Sequence, residues 1–374
     1  MGAEGLFDAL YARGPVAASV DGRAWLGAML EVEAALARAC AAEGLIPAAS
    51  ASAIAGACDA DRFDLDTIAA AAGASATPVI AIVAALRAAV GEQAAPHVHL
   101  GATSQDVIDT AAMLLARRAL EALLTDVAAA AAAAAMLARA HRESPMAART
   151  LLQQAQASTF GLRAAGWLVG LEEAADRLRE VATARLAVQM GGPAGTRGPQ
   201  VAARVAGELG LAEPTLPWDA IRVRPAELAC ALGVLGGVLA KIAGDVVLFA
   251  QTEVAELREG GGPGRGGSSS MPHKRNPVAS ISVLACAARV PGLVATMLAA
   301  MRQEHERGAG GWQAEWGTLS ELLTLVGSAA AWSVDLLANL EVDVARMREH
   351  AAGLDGDTGD IATLIDRALA VATP

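Results

Sequence analysis

Apolar residues recur along this chain with the period of a helix. Trp25, Met29, Val32 and Leu36 fall at i, i+4, i+7 and i+11 and predict a helix that Gly44 can end, within a helical N-terminal region. A second helix is predicted to open at Thr103-Ser104, with Asp106 in its first turn. Its Ile108, Ala112, Leu115 stripe runs on into the alanine-rich segment near residue 130. Further helical stretches are expected at about 158–189, 225–258, 278–303 and 318–349. They are punctuated by Gly191-Gly192-Pro193, by Pro214 to Pro217, and by the glycines of 260–267 and 308–311. Almost nothing alternates with the period of two that a half-buried strand needs. The expected fold class is all-α.

Composition sharpens that picture. The 374 residues suffice for two or three domains, and 54% are hydrophobic but only 3% aromatic, so the apolar content is mainly Ala, Leu and Val. That mixture favours helices and speaks against a β-sandwich or barrel. With 40 acidic and 29 basic residues the net charge is −11, which disfavours nucleic acid as a partner and requires a local positive pocket for any anionic ligand. Cys40, Cys58, Cys230 and Cys286 are scattered without a CxxC, so neither a disulfide framework nor a metal site is expected, and a cytoplasmic setting fits. The longest apolar runs, Val127 to Leu137 and Leu228 to Ala240, are shorter than the roughly 18 residues of a membrane span, so no membrane is expected. Glu4 and Asp8 near the start do not read as a signal peptide. Wide Ala/Leu helix faces exceed what one bundle can hide, which predicts a homo-oligomer.

The most informative segment runs from Gly266 through Ser268-Ser269-Ser270-Met271-Pro272-His273-Lys274-Arg275-Asn276 to Pro277, between two predicted helices. Glycines give a mobile backbone, three hydroxyls exchange hydrogen bonds with a ligand, and Lys274 and Asn276 suit a carboxylate. The composition is that of a lid closing on an anion. Lys241 and Lys274 are the chain's two lysines, so the ordered run is no generic spacer.

Gly267 to Asn276 matches Gly-Ser-Ser-x-Met-Pro-x-Lys-x-Asn at every position, and with it come Gly101-Ala102-Thr103-Ser104-Gln105-Asp106, Arg149-Thr150-Leu151-Leu152-Gln153-Gln154-Ala155 and His305-Glu306-Arg307 in the same order. In these segments the chain resembles the fumarase/aspartase superfamily. The resemblance implies an all-α homotetramer with a central bundle of long helices and active sites built from several subunits. The implied chemistry is addition or elimination next to a carboxylate of a small polycarboxylate, with no cofactor and no metal. Residues 1–102 would form a small helical N-terminal domain, 103–349 the central bundle with the signature loop, and 350–374 a short tail, the family's C-terminal domain being absent or vestigial.

Such chemistry builds charge on an aci-carboxylate, at which cations, hydroxyls and helix N-termini must be aimed. By resemblance Ser268 takes the proton-transferring position, and Lys274 and Asn276 bind substrate carboxylate with Thr103 and Ser104. Thr150, Gln153 and Arg307 hold the remaining carboxylates. His99 and His141 are further candidates for the proton. His273 falls at a variable signature position and Trp312 and Trp316 read as packing, while His97 and His350 receive no role.

One departure carries information. Adenylosuccinate and argininosuccinate lyases have histidine just after Arg-Thr, the former with a second, where this chain has Leu151 and Gln154. A nitrogen leaving group needs a general acid. A carboxylate, with a pKa of about 4, does not. Within the superfamily this resembles the bacterial 3-carboxy-cis,cis-muconate cycloisomerases, as do the runs Gly101 to Thr110, Arg149 to Ala155, Thr159 to Leu162, Ala165 to Trp167 and Gly311 to Trp316. The implied reaction closes 3-carboxy-cis,cis-muconate to 4-carboxymuconolactone in protocatechuate catabolism. The alternatives are a fumarate-releasing lyase acting on a succinyl adduct, like adenylosuccinate lyase, and a non-catalytic structural homologue.

Overall fold

The computed structural model describes residues 5–262, 265–356 and 359–371, and its helices follow the apolar spacing closely. The N-terminal part holds α1 (Asp8–Tyr11), α2 (Gly22–Ala42), α3 (Ala48–Ala57), α4 (Leu65–Ser75) and α5 (Val79–Ala89). Asp21 caps α2 by accepting the Ala24 N–H, and the predicted stripe buries Met29, Val32 and Leu36. The helix ends at Ala42, just ahead of Gly44, whose φ of 71° suits glycine.

Five long helices follow: α6 (Ser104–Ala140), α7 (Phe160–Ala184), α9 (Val223–Phe249), α10 (Val278–Ala299) and α11 (Gly311–Ala338), with α8 (Pro199–Leu209) in the connection between α7 and α9. The short α12 (Val344–Ala351) and α13 (Ile361–Ala370) come last. With 37 residues at a rise of about 1.5 Å each, α6 is about 55 Å long. Contacts at its ends fix the direction of its neighbours. Phe160 N–H donates to Ser144 C=O, and Gly161 N–H to His141 C=O, so α7 turns back from the far end. Arg222, just before α9, bonds Asp109 near the start of α6, whereas Phe249 at the end of α9 lies 5.5 Å from the Arg149 guanidinium beyond α6's other end. α9 therefore runs with α6, α10 returns, and α11 sets out again with Trp312 donating to Asp109.

The structure departs from the sequence reading in three places. Between α6 and α7 the chain forms an antiparallel hairpin of β1 (Pro145–Thr150) and β2 (Gln153–Thr159), paired from Pro145↔Thr159 to Thr150↔Gln153. Its strands are rich in Ala, Arg, Gln, Ser and Thr and are largely exposed towards the tip, so no hydrophobic alternation announces them. The stretch expected at 225–258 ends as helix at Phe249 and continues to β3 (Leu257–Glu259). That at 318–349 begins earlier, at Gly311, and breaks at Ala338 before β4 (Leu340–Val342), which pairs with β3.

The third departure concerns length and apolarity. Counted as whole helices rather than uninterrupted runs, α6, α9, α10 and α11 are each long and apolar enough to cross a membrane. In the structure they pack on one another, and their most apolar windows are only 39–61% buried within the chain. Val234, Leu248, Ile281 and Leu298 are among the large apolar side chains left exposed on them.

The turn into α7 leaves no room at Gly161, where a Cβ would lie 2.7 Å from Arg142 Cα and from the His141 carbonyl oxygen. Backbone on both sides cannot move aside. Gly161→Ala is expected to destabilise the fold by about 1–3 kcal/mol, measured as a lowered denaturation midpoint. A midpoint equal to wild type would contradict this packing.

Candidate functional site

The start of α6 is held by a carboxylate of its own first turn. Asp106 accepts the Thr103 N–H at 3.0 Å and also the N–H groups of Gly191 and Gly192, both at 2.9 Å. It thus binds the Gly191-Gly192 turn to the helix N-terminus. Burial pushes the Asp106 carboxyl up, and these backbone donors pull the other way. Thr103 and Ser104 are half-buried at the helix start, and the Ser104 hydroxyl has no hydrogen-bond partner among the described residues.

Arg307 reaches the same end. Its Nε donates to Gln105 Oε1 at 2.9 Å, while the Gln105 amide donates to Asp109 and, at 2.7 Å, to the Asp219 carbonyl. Behind this layer Arg222 is buried between Asp109 and Glu315 and beneath the Trp218 ring. Burial opposes its charge, but the two carboxylates outweigh that and hold the guanidinium protonated. Asp219 is pushed up to about 6, by burial and then by Asp106, against the pull of Arg307.

His99 precedes Thr103 by four residues, in the left-handed region at φ 62°. Its Nδ1 lies 2.5 Å from Glu33 Oε1, and Glu33 on α2 is completely buried. The sequence reading passed over Glu33. It stands four residues after Met29, on the apolar face of α2, and a carboxylate on such a face is the signal that could have found it.

The far end of the bundle carries the signature loop and the hairpin. Asn276 closes the loop: its N–H and its Nδ2 both donate to the Gly266 carbonyl, at 2.8 and 3.1 Å. Gly266 sits at φ 67°, with Asn276 backbone where a Cβ would be, so only glycine fits. The Ser268 hydroxyl accepts the Met271 N–H at 3.2 Å, and Lys274 is exposed with no carboxylate partner among the described residues. A cavity of about 650 Å³ on this side is lined by His273, Arg275, Asn276, Arg258 and Glu341 among others.

Thr150 and Gln153 face each other at the exposed tip of the hairpin. Between them Leu151 and Leu152 adopt φ of 51° and 65° and are 96% and 74% exposed. One pair below the tip Arg149 donates twice to the buried Glu256, at 2.9 and 2.6 Å, and His350 Nδ1 lies 2.6 Å from the same carboxylate. Gln153, Gln154, Arg149 and His350 line one cavity of about 410 Å³. His350 comes from α12, two hundred residues downstream of Arg149, and no spacing in the sequence linked them. His141 also lies at this end, its Nδ1 3.1 Å from Ser144 Oγ and its ring against Phe160. Burial lowers its pKa.

The candidate residues therefore form two groups. Thr103, Ser104 and Arg307, with His99, occupy the starting end of α6. Thr150, Gln153, Ser268, Lys274 and Asn276 occupy the other. The 37 residues of α6 and the 22 of α10 separate the groups by about 30–50 Å. One chain cannot bring both to a single small molecule.

Comparison with known proteins fits these features. A lyase family model matches residues 9–292. The chain is 49% identical over 348 residues to the 3-carboxy-cis,cis-muconate cycloisomerase of Bradyrhizobium diazoefficiens, covering 91% of this chain and 77% of that protein. It is 44% identical over 387 residues to the nitrosuccinate lyase of Streptomyces davaonensis, covering 99% of this chain and 80% of that protein. The crystal structure of 3-carboxy-cis,cis-muconate lactonizing enzyme from Pseudomonas putida superposes with a TM-score of 0.88 at 41% identity, covering 92% of this chain and 79% of that one. The long-helix bundle, the intact signature loop and these likenesses together show that the chain belongs to the lyase family of the fumarase/aspartase superfamily.

Proposed function

We propose that this protein is a 3-carboxy-cis,cis-muconate cycloisomerase that closes its substrate to 4-carboxymuconolactone without a cofactor. The observation that carries this reading is the pairing of an intact signature loop with Leu151 and Gln154, a hairpin tip without an acid, in a chain 49% identical to a cycloisomerase of that name. One substrate carboxylate adds to the double bond. Negative charge then grows on the neighbouring carboxylate, where Lys274, Asn276, Thr103 and Ser104 stabilise it. Ser268, or a water it holds, passes the proton to the adjacent carbon. Arg307, Thr150 and Gln153 hold the other carboxylates.

Because the two groups of residues lie at opposite ends of the bundle, the complete site needs more than one copy of the chain. The half-exposed apolar windows of α6, α9, α10 and α11 supply faces for that assembly, which we take to be a homotetramer in the cytoplasm. We take residues 1–102 as an N-terminal domain, 103–349 as the central bundle and 350–374 as a tail.

A second reading is favoured by the 44% identity to nitrosuccinate lyase over 99% of the chain. Nitrite, like carboxylate, departs as a stable anion without a proton, so Leu151 and Gln154 suit that elimination equally well. The substrate decides between them. Purified protein is expected to consume 3-carboxy-cis,cis-muconate, followed by loss of diene absorbance, and to leave nitrosuccinate and adenylosuccinate unchanged. Turnover of nitrosuccinate alone would replace the first reading with the second.

Two further outcomes test the site. Lys274→Ala is expected to lower kcat/KM at least about 100-fold with an unchanged thermal midpoint, and full activity in this variant would remove Lys274 from the site. Co-refolding inactive Ser268→Ala with inactive Arg307→Ala is expected to restore a measurable fraction of activity, since mixed assemblies contain sites with both residues intact. No restoration would contradict a site shared between copies.

A further inference from the structure

A serine hydroxyl that gives its proton to carbon must have that proton restored, and at neutral pH it needs a base or acid beside it. The chain offers six histidines. His97 bonds Ser50, His141 bonds Ser144, and His273 and His305 are exposed without a carboxylate partner among the described residues. Among the described residues only His99 and His350 have a ring nitrogen on a buried carboxylate, and the two carboxylates differ. Glu256 beside His350 is already neutralised by the bidentate Arg149. Among the described residues Glu33 has no ion-pair partner but His99, and its second oxygen, Oε2, is buried with no hydrogen-bond partner.

Such an arrangement is costly to the fold. Burying a carboxylate with one oxygen unsatisfied is unfavourable relative to water, and His99 is held besides in a backbone region that non-glycine residues seldom adopt. Both features serve one geometric result. With Nδ1 fixed by Glu33, His99 Nε2 is left without a hydrogen-bond partner among the described residues, on a ring 15% exposed, four residues ahead of Thr103. This is the base-and-orienter arrangement of acid–base catalysis.

We infer that Glu33 and His99 form the proton relay behind Ser268, with Glu33 as a positioning residue that fixes the His99 ring and steadies its imidazolium form. This rests on the reading above, in which Ser268 of one copy meets the Thr103–Ser104 end of another. In the lactone-forming direction a carboxylate oxygen bonds to one alkene carbon, and the π pair moves to the neighbouring carbon. That carbon takes the Ser268 hydroxyl proton as the O–H bond breaks. The alkoxide takes the Nε2 proton of the His99 imidazolium, and the neutral ring is reprotonated by solvent. Atoms and charge balance without a further reactant.

Forward turnover therefore draws on the His99 imidazolium, which gives the pH profile of kcat an alkaline limb. The charged groups around it are Glu33 from α2, Arg87, which donates to the Val98 carbonyl from α5, and Arg197, which donates to the Leu100 carbonyl and to Cys40 Sγ from the segment before α8. Of these groups Glu33 bonds the His99 ring itself, whereas the arginines bond backbone carbonyls and Cys40. Removing the Glu33 charge must move the alkaline limb of the profile to lower pH.

The test uses the intact assembly and 3-carboxy-cis,cis-muconate. His99→Asn is expected to lower kcat at least about 100-fold with KM changed no more than about threefold. Glu33→Gln is expected to keep more activity while its alkaline limb in kcat shifts down by about one pH unit. A purely structural role would lower stability without moving that limb. Wild-type kcat in His99→Asn, or an unmoved limb in Glu33→Gln, overturns the relay, and should His99→Asn fail to fold, the limb of Glu33→Gln decides. Ser268→Ala separates the two levels: if it is inactive while His99→Asn is fully active, only the relay falls, whereas full activity in Ser268→Ala removes the loop reading and the relay together.

Discussion

The buried guanidinium of Arg222 fixes the register of three long helices at one end of the bundle. Standing just ahead of α9, it binds Asp109 of α6 and Glu315 of α11 at once, and Trp312 adds a second bond to Asp109. A guanidinium so thoroughly buried is tolerable only because both carboxylates and the neighbouring carbonyl satisfy its donors, and loss of any partner would leave buried N–H groups unsatisfied. Gln105 joins this cluster to Arg307, and Asp106 joins the same helix start to the Gly191-Gly192 turn. Arg307 is thus tied through Gln105 to the buried ion cluster, and Thr103 and Ser104 are held by the Asp106 cap.

The length of the helices imposes the complementary constraint. Chains that place carboxylate-binding groups at one end and a serine–lysine loop at the other can act on a small molecule only by pairing opposite ends of different copies. Apolar faces left half-exposed on α6, α9, α10 and α11, and the hairpin tip with Leu151 and Leu152 in left-handed conformation, are the surfaces such pairing would cover. The same side chains that make these helices resemble membrane spans by composition serve helix packing within the chain.

Much of this was legible in the sequence. Helical period located α2 and the later long helices, the Thr103-Ser104 cap marked the start of α6, the family resemblance implied the central bundle, and the specific residue order of the signature loop singled out Ser268, Lys274 and Asn276 as candidates. The hairpin was not legible, since its strands expose mixed polar and small residues and bury no alternating face. Nor was His350, and Glu33 offered only its place on the apolar face of α2. Each matters through a partner distant in sequence, and only the fold brings Glu33 to His99 or α12 to Arg149. The two-ended layout likewise follows from helix direction, which local periodicity does not encode.

The most direct measurement of the central claim is a crystal structure of the assembled protein with a tricarboxylate substrate analogue bound. The account predicts the analogue between Ser268 and Lys274 of one copy and Thr103, Ser104 and Arg307 of another, with the loop of residues 266–277 closed over it. An analogue held entirely by residues from one end of a single chain would contradict it.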